Sequence, residues 1–401
     1  MACEPEPPPP LPKKPKSPPA VPTTICALGD DLLREIFLRL PSLPTLVRAA
    51  VTCRSSLRAV RSCTAFRRRF GELHSPPHLG LFINISDFHT PAFRLLRLSS
   101  DPDIAAVVRR ADFFLTRLRN NDEGSALKWL IRDCHNGYVV LISQSTDHMA
   151  VYNPLTRVLD LFPKPPRKIC KEMCIEFHVL SSEEDPGPFR VICVCHEIFG
   201  AQAAVLSSET REWQIFPWVE AENIEPYNTH NGILLKGYIY LKKGSRASAR
   251  VLNTTTLQFS RIDLPRHIEG QGAITAGQTK DGKLCIICAV KLTLVVWSWR
   301  ADDEGIERWM LEKTFPLLPA VDALTDSPAD NHDLKILAIV DGFVYLSIYY
   351  KPARNLSGWF LSFCLETEKL NKLCPMLHHD CVYPYIMAWP PSLVLKPSSS
   401  I

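Results

Sequence analysis

With 401 residues, 46% of them hydrophobic, the chain is long enough for more than one folding unit and apolar enough to bury a sizeable core. Its formal net charge of +4 is too mild for the concentrated basic face that phosphate binding needs, so nucleic acid is not an expected partner. No apolar run approaches the ~18 residues of a membrane span, and the N-terminus MACEPEPPPP lacks the apolar core of a secretion signal. The expected location is cytoplasm, nucleus or both, with no membrane partner.

In chain order, residues 1–24 are a proline-rich tail with Lys13, Lys14 and Lys16, too poor in apolar side chains to pack and expected to be disordered. From 25 to 70 the pattern becomes helical and rich in leucine and arginine. In DDLLREIFLRL, Asp30 and Asp31 stand where carboxylates cap free N–H groups and meet the positive end of the helix dipole, and Pro41 ends the helix. Leu28, Leu32, Ile36 and Leu40 recur every fourth residue as one apolar stripe, with Leu33 and Phe37 as a second beside it. Two further helical segments, LPTLVRAAVTCRSSLRAV and CTAFRRRF, complete the unit. Arg58, Arg61, Arg67, Arg68 and Arg69 read as a solvated basic face, since no aromatic stacking platform accompanies them. So small a unit cannot hide this much apolar surface alone, and a partner is expected to cover part of it. Residues 71–130 form a connecting region that holds one helical stretch, DPDIAAVVRRADFFLTRL, and could supply a degenerate first blade to the β-rich region beyond it.

Over 131–395 short β-rich runs alternate with turn signals. A phrase recurs there: an apolar strand, a small polar turn, and a short strand closing on proline. It reads VYNPLTRVLDLFP, VLSSETREWQIFP, VLNTTTLQFSRIDLP and FCLETEKLNKLCP, with a distorted copy, VWSWRADDEGIERWMLEKTFP, before the last. The closing prolines Pro163, Pro217, Pro265, Pro316 and Pro375 recur at intervals of roughly fifty residues, the size of a propeller blade. Hairpin segments precede the phrases: HNGYVVLI, HNGILLKGYIYL, DGKLCIICAV and DGFVYLSIYY, whose Asn-Gly and Asp-Gly pairs supply positive φ angles. The fold class is therefore an α+β multidomain chain, a helical unit followed by an all-β, kelch-like propeller.

Candidate chemistry is sparse. Among the 14 cysteines, alternation sends Cys193 and Cys195 to one sheet face and Cys285 and Cys288 to opposite faces, as buried strand positions. No paired zinc knuckles occur, so neither metal nor cofactor is expected. G-x-S-x-G, H-E-x-x-H and phosphate-loop motifs are absent. GQGAITAG, residues 270–277, reads as a loop, and His378-His379-Asp380 beside Cys381 as a surface turn.

The stretch ALGDDLLREIFLRLPSLPTLVRAAVTCRSSLRAVRSCTAFRRRF resembles an F-box, with Leu28, Asp31, Leu32, Leu33, Ile36, Leu40, Leu46, Cys53 and Arg54 matching its pattern. Gly29 replaces the usual proline, and Ser56 stands where a tryptophan or other large residue is common. NPLTRVLDLFP and YPYIMAWPPSLV are similar to the F-box-associated domains of plant proteins, notably of grasses. The resemblance implies a non-catalytic, substrate-recognition adaptor of a Skp–cullin–F-box ubiquitin ligase. It implies binding to a Skp-family adaptor, and through it a cullin, by way of Leu28, Leu32, Leu33, Ile36, Leu40, Leu46, Val51 and Cys53. The alternative is a propeller scaffold working without a ligase. Of the tryptophans, Trp213, Trp297, Trp299, Trp309 and Trp359 are expected mostly between blades. Trp218, just past Pro217, with Glu220, Glu222 and Glu225, is the candidate rim for an unknown protein substrate bearing a basic patch.

Overall fold

A computed structural model describes residues 28–74, 77–84, 91–95, 102–118, 128–166, 168–169, 175–181, 188–197, 200–220, 232–241, 248–265, 274–280, 282–301, 304–325, 332–350, 357–377, 381–390 and 393. The described residues begin with four short helices, α1 (Asp30–Leu38), α2 (Leu43–Ala50), α3 (Arg54–Arg61) and α4 (Thr64–Leu73). Gly29 precedes α1 without any side-chain cap. Asp30 and Asp31 do not cap it, contrary to expectation. They face arginines instead: Arg58 lies 2.9 Å from Asp30 and Arg34 2.8 Å from Asp31. The sulfurs of Cys53 and Cys63 accept from the Ser56 and Phe66 N–H groups, each at 3.4 Å, and so cap α3 and α4. Leu33, Phe37, Leu46, Val60, Phe66 and Phe70 fill the space between the helices. Arg67 departs from the solvated basic face expected of it. It is buried and donates to the Val60 and Arg61 carbonyls, which the end of α3 leaves without helical partners. No helix among the described residues is long and apolar enough to cross a membrane.

The remainder is a six-bladed β-propeller. Blade 1 joins β1 (His78–Asn84) and β2 (Ala92–Leu95) to β24 (Cys381–Ile386). Helix α5 (Pro102–Arg110) leads to blade 2, β3 (Trp129–His135), β4 (Tyr138–Ser143), β5 (His148–Asn153) and β6 (Val158–Pro163). Blade 3 holds β7 (Ile175–Ser181), β8 (Phe189–Glu197), β9 (Gly200–Ser207) and β10 (Trp213–Ile215), with β11 (Val219–Glu220) also paired to β9. Blade 4 holds β12 (Ile233–Leu235), β13 (Tyr238–Leu241), β14 (Ser248–Asn253) and β15 (Phe259–Asp263). Blade 5 holds β16 (Ile274–Gln278), β17 (Leu284–Val290), β18 (Thr293–Ala301) and β19 (Glu307–Pro316). After α6 (Leu318–Thr325), blade 6 holds β20 (His332–Val340), β21 (Phe343–Tyr350), β22 (Ser357–Cys364) and β23 (Leu370–Leu377). The innermost strands β3, β7, β12, β16, β20 and β24 surround the central channel.

The recurring phrase is the outer hairpin of a blade, and its turn is built alike four times. The N–H groups of Arg157, Arg211, Leu257 and Glu368 bond to the carbonyls of Asn153, Ser207, Asn253 and Cys364 at 2.8–2.9 Å. Each of those four donors has positive φ, between 55° and 60°. Pro163 and Pro316 end outermost strands, Pro217 and Pro265 follow theirs, and Pro375 lies within the outermost strand β23, so none of them removes an N–H from an inner ladder. The inner hairpins turn on Asn136-Gly137, Lys236-Gly237 and Asp341-Gly342, all at positive φ. In blade 4 the turn is therefore Lys236-Gly237, not the Asn231-Gly232 pair that the sequence suggested. Gly232 instead enters β12, its N–H donating to Glu176 Oε2 at 2.7 Å. GQGAITAG is likewise no simple loop: Ile274–Gln278 is the channel strand β16. Gly277 there has no room for a side chain, since a Cβ would lie 2.4 Å from that of Ile339. The cysteines follow the alternation. Cys193 and Cys195 share one hydrophobic cluster, whereas Cys285 and Cys288 belong to clusters on opposite faces of blade 5.

The ring closes where β24 pairs antiparallel with β1, from His78↔Ile386 to Asn84↔Cys381. Here the helical unit is seated. Phe70 meets Trp389 edge-on at 5.8 Å, and one cluster runs from Leu33 and Phe37 through Phe70 to Leu79, Phe82 and Tyr385. The helices thus cover the propeller end that carries the inner-hairpin turns.

Candidate functional surfaces

Helix α1 sets two apolar stripes beside a polar arc of Asp30, Asp31, Arg34 and Glu35, and the two stripes have different fates. Leu33 and Phe37 face inward, whereas Leu32 and Ile36 remain 58% and 41% exposed. Val51, at the end of α2, is 58% exposed, and together these three give the helical unit an uncovered apolar face. Leu28 and Leu40 lie half-buried against the core. Leu33 and Leu46 are fully buried, so they support the face from below and offer no contact surface of their own. Cys53 is half-buried, occupied in capping α3. Ser56, where a large residue is common, is buried with its hydroxyl 3.2 Å from the Cys53 sulfur. Gly29 has φ −65°, the angle a proline ring would impose, and nothing lies within 4 Å of its missing Cβ. Its departure from the F-box pattern leaves the backbone path at the start of α1 compatible with proline.

At the other end of the ring, β10 runs away from its turn at Arg211 and delivers Trp218 to the rim opposite the helices. Trp218 is 37% exposed, and its indole lies against Gly200, where an added Cβ would come within 2.5 Å of the ring. Glu220 is exposed beside it in β11, while Glu222 and Glu225 lie outside the described residues. Other tryptophans join blades. Trp213 Nε1 donates to Pro163 O in blade 2 at 3.0 Å, and Trp309 Nε1 to Asp263 O in blade 4 at 2.9 Å. Trp299 stacks edge-on against Trp309 within blade 5, and Trp359 lies under the Lys372 ammonium.

The channel holds a polar group that sequence reasoning missed. Asp133 on β3 accepts the Val179 N–H of β7 at 2.6 Å, and Glu176 on β7 accepts from Gly232 beside β12. His178 follows Glu176 by two residues on β7, its Nε2 3.6 Å from Glu176 Oε2. Burial pushes the Asp133 carboxyl above its ordinary range, against the pull of His178, His135 and the backbone N–H groups. Burial likewise lowers the His135 imidazole, the Asp133 charge opposing it. Asp133, His135 and His178 line a cavity of about 1170 Å³ that opens between the ring and the helical unit. No motif announces these residues, because the blades bring them together one strand at a time. The available signal was the polar positions interrupting two apolar inner strands, LIRDCH and IEFHVL. Among the described residues no group of three or more His, Cys, Asp or Glu is placed to hold a metal ion.

The fold and these surfaces define a six-bladed β-propeller with a helical unit seated on one end. The chain belongs to the plant family described as F-box protein AT5G49610-like, beta-propeller, whose profile matches residues 130–393, more than half of its length. Among solved structures it is similar to a protein from Lactobacillus plantarum, at 10% identity and TM-score 0.40, covering 77% of this chain and 99% of that one. It is also similar to a quinonprotein alcohol dehydrogenase-like protein from Bacteroides thetaiotaomicron, at 9% identity and TM-score 0.39, covering 77% of each chain. Neither likeness bears on function. Comparison with curated proteins gives no match.

Proposed function

We propose that the chain is the substrate-recognition adaptor of a Skp–cullin–F-box ubiquitin ligase, working in the cytoplasm or nucleus and catalysing no reaction itself. The observation that carries this reading is the uncovered face of Leu32, Ile36 and Val51 on the helical unit of a chain from an F-box propeller family. A Skp-family adaptor would cover that face and link the chain to a cullin. The propeller would hold a protein substrate near a charged ubiquitin-conjugating enzyme, raising the effective concentration of a substrate lysine. Trp218 and Glu220, with Glu222 and Glu225 next along the chain, are the proposed substrate rim; the position of Trp218 and Glu220 opposite the helices would keep the two engagements from colliding.

The test is a pull-down of the Skp-family adaptor and cullin with the double variant Leu32→Glu/Ile36→Glu. Burying side chains of this size is worth about 1.5–3 kcal/mol each. Co-purification should therefore fall by two orders of magnitude or more, with an unchanged melting temperature because neither side chain is in the core. Undiminished capture by the variant would refute the assignment of the face. Failure of the wild type to capture any adaptor would leave the ligase-independent scaffold as the better reading.

A further inference from the structure

Just past α5 the chain makes a tight turn that holds one aromatic ring outward. Phe113 and Leu115 are buried, whereas Phe114 between them is 82% exposed, more than any other large apolar side chain among the described residues. The turn is pinned from several sides. The Asp112 N–H donates to the Pro154 carbonyl at 2.9 Å and the Leu115 N–H to the Asp112 carbonyl at 3.3 Å. The Asp112 carboxylate accepts from the Thr116 N–H and hydroxyl at 2.9 and 3.0 Å and from the Tyr152 hydroxyl at 2.5 Å. Phe113 stacks on Phe93 at 3.9 Å. Leu115 is held at φ 55°, a left-handed angle unfavourable to leucine that persists only because its surroundings impose it. Phe114 is therefore fixed in its outward position before any partner arrives. The charges about it have one sign. Arg109, Arg110 and Arg117 from this segment and Arg157 from blade 2 are all exposed. Arg157 Nη2 donates to the Arg110 carbonyl at 2.7 Å, and the charges of Arg117 and Arg157 both reach Tyr152, so these arginines gather about one turn. Among the described residues 104–118 and 153–158 the only carboxylate is Asp112, which is buried and already engaged. Val158, beside Arg157, is 53% exposed and adds apolar surface.

We propose that Phe114, with Arg110, Arg117 and Arg157 about it, docks an acidic protein segment that carries a large apolar side chain between its carboxylates. The apolar side chain covers the Phe114 ring, and the carboxylates pair with the surrounding guanidinium groups. A single ring makes no platform for successive bases, so a polypeptide fits this patch better than a nucleic-acid strand. The surface is separate from the Trp218 rim on blade 3, and it does not depend on the ligase reading.

The experiment uses the full-length protein and fluorescently labelled peptides read by anisotropy at low salt. The probe is Glu-Glu-Glu-Leu-Glu-Glu-Glu; one control replaces its leucine by serine, and the other replaces every glutamate by glutamine. The probe should bind about tenfold or more tightly than either control, and added salt should weaken it. Phe114→Ser should bring the probe down to the level of the serine control, and Arg110→Gln/Arg117→Gln to that of the glutamine control. Both variants should keep the wild-type melting temperature, because the replaced side chains are exposed. Equal binding of the probe and the serine control, or no binding up to millimolar concentration, would overturn the proposal, and neither readout involves a variant's folding. Wild-type affinity in a folded Phe114→Ser protein would overturn the site. A labelled oligothymidylate is the remaining arm, expected to bind more weakly than the probe. If it bound more tightly and lost its affinity in Phe114→Ser, the patch would belong to single-stranded nucleic acid and the peptide would fall as the occupant. No adaptor is present in this assay, so its failure is distinguishable from a failed pull-down.

Discussion

His78 sits at the seam between blades 1 and 6. Its Nε2 is 3.0 Å from the Gly80 carbonyl and its Nδ1 3.1 Å from the Tyr345 hydroxyl. A carbonyl only accepts, so Nε2 carries the proton and Nδ1 accepts from the tyrosine, which holds the ring neutral. Burial lowers its pKa from 6.5 to about 4. On acidification the unfolded chain therefore takes up this proton first. The site's stability is complete above pH ~6.5 and falls as pH drops toward ~4, by at most about 3 kcal/mol. Urea midpoints measured from pH 7 to 4 should decline through that window, and His78→Gln should flatten the decline. Gly29→Pro is expected to act in the opposite direction. The native φ already suits proline, so the variant should gain about 0.4–1 kcal/mol by restricting the unfolded chain. A lower urea midpoint would show that the ring clashes with Leu28. At this scale the sequence was legible where alternation decides, as for Cys193 and Cys195. It was not legible for Arg67, whose inward turn depends on carbonyls left at the end of another helix.

Among the elements, the outer-hairpin turn gives the clearest sequence signal because all its interactions are local. Asn153 Oδ1 accepts from the N–H groups of Leu155 and Thr156, and Asn253 Oδ1 from those of Thr255 and Thr256, at 2.8–3.1 Å. Each turn therefore satisfies two backbone donors with one amide oxygen. Asn153→Ala and Asn253→Ala should each lower stability by about 1 kcal/mol, measured by denaturant unfolding. Ser207→Ala should cost less, because the serine hydroxyl accepts the Glu209 N–H at the longer distance of 3.3 Å. The inner hairpin of blade 4 was harder to read, because Asn231-Gly232 and Lys236-Gly237 compete within a few residues. The pairing Leu235↔Tyr238 decides for the second, a choice that depends on the neighbouring blade. The same dependence hid β16 inside a glycine-rich phrase, where Gly277 is demanded by Ile339 of blade 6. The apolar stripes of α1 were legible, but which residues of the adaptor face lie exposed was not. Leu46 belongs to the same helix-forming pattern as Val51 and ends up buried, because packing against α1 and α3 selects one side of α2.

At the scale of the whole molecule, the repeat announced a propeller, but its closure was beyond sequence reasoning. The strands that close it, β1 and β24, are separated by most of the chain and carry no copy of the phrase. Blade number follows from that pairing. Truncation after residue 380 removes β24 and leaves blade 1 without its channel strand. It also strips Tyr385 and Met387 from the cluster shared with the helices. The truncated protein should lose its sharp melt and bind a hydrophobic dye; a cooperative transition at the wild-type temperature would contradict closure by β24. The channel cluster was invisible for the same reason as the closure, since Asp133, His178 and Gly232 become neighbours only when successive blades stand side by side.

The pairing of β1 with β24 also sets a timetable for making the protein. About 300 residues separate the two strands, and at ~5–20 residues per second the ribosome needs roughly 15–60 s to deliver the second after the first. Throughout that interval β1 shows an open edge, and the helices emerge with no Tyr385 or Met387 to rest against. The nascent chain is then a client for chaperones from its first blade onward, and its helices cannot take their final seat until synthesis is almost over.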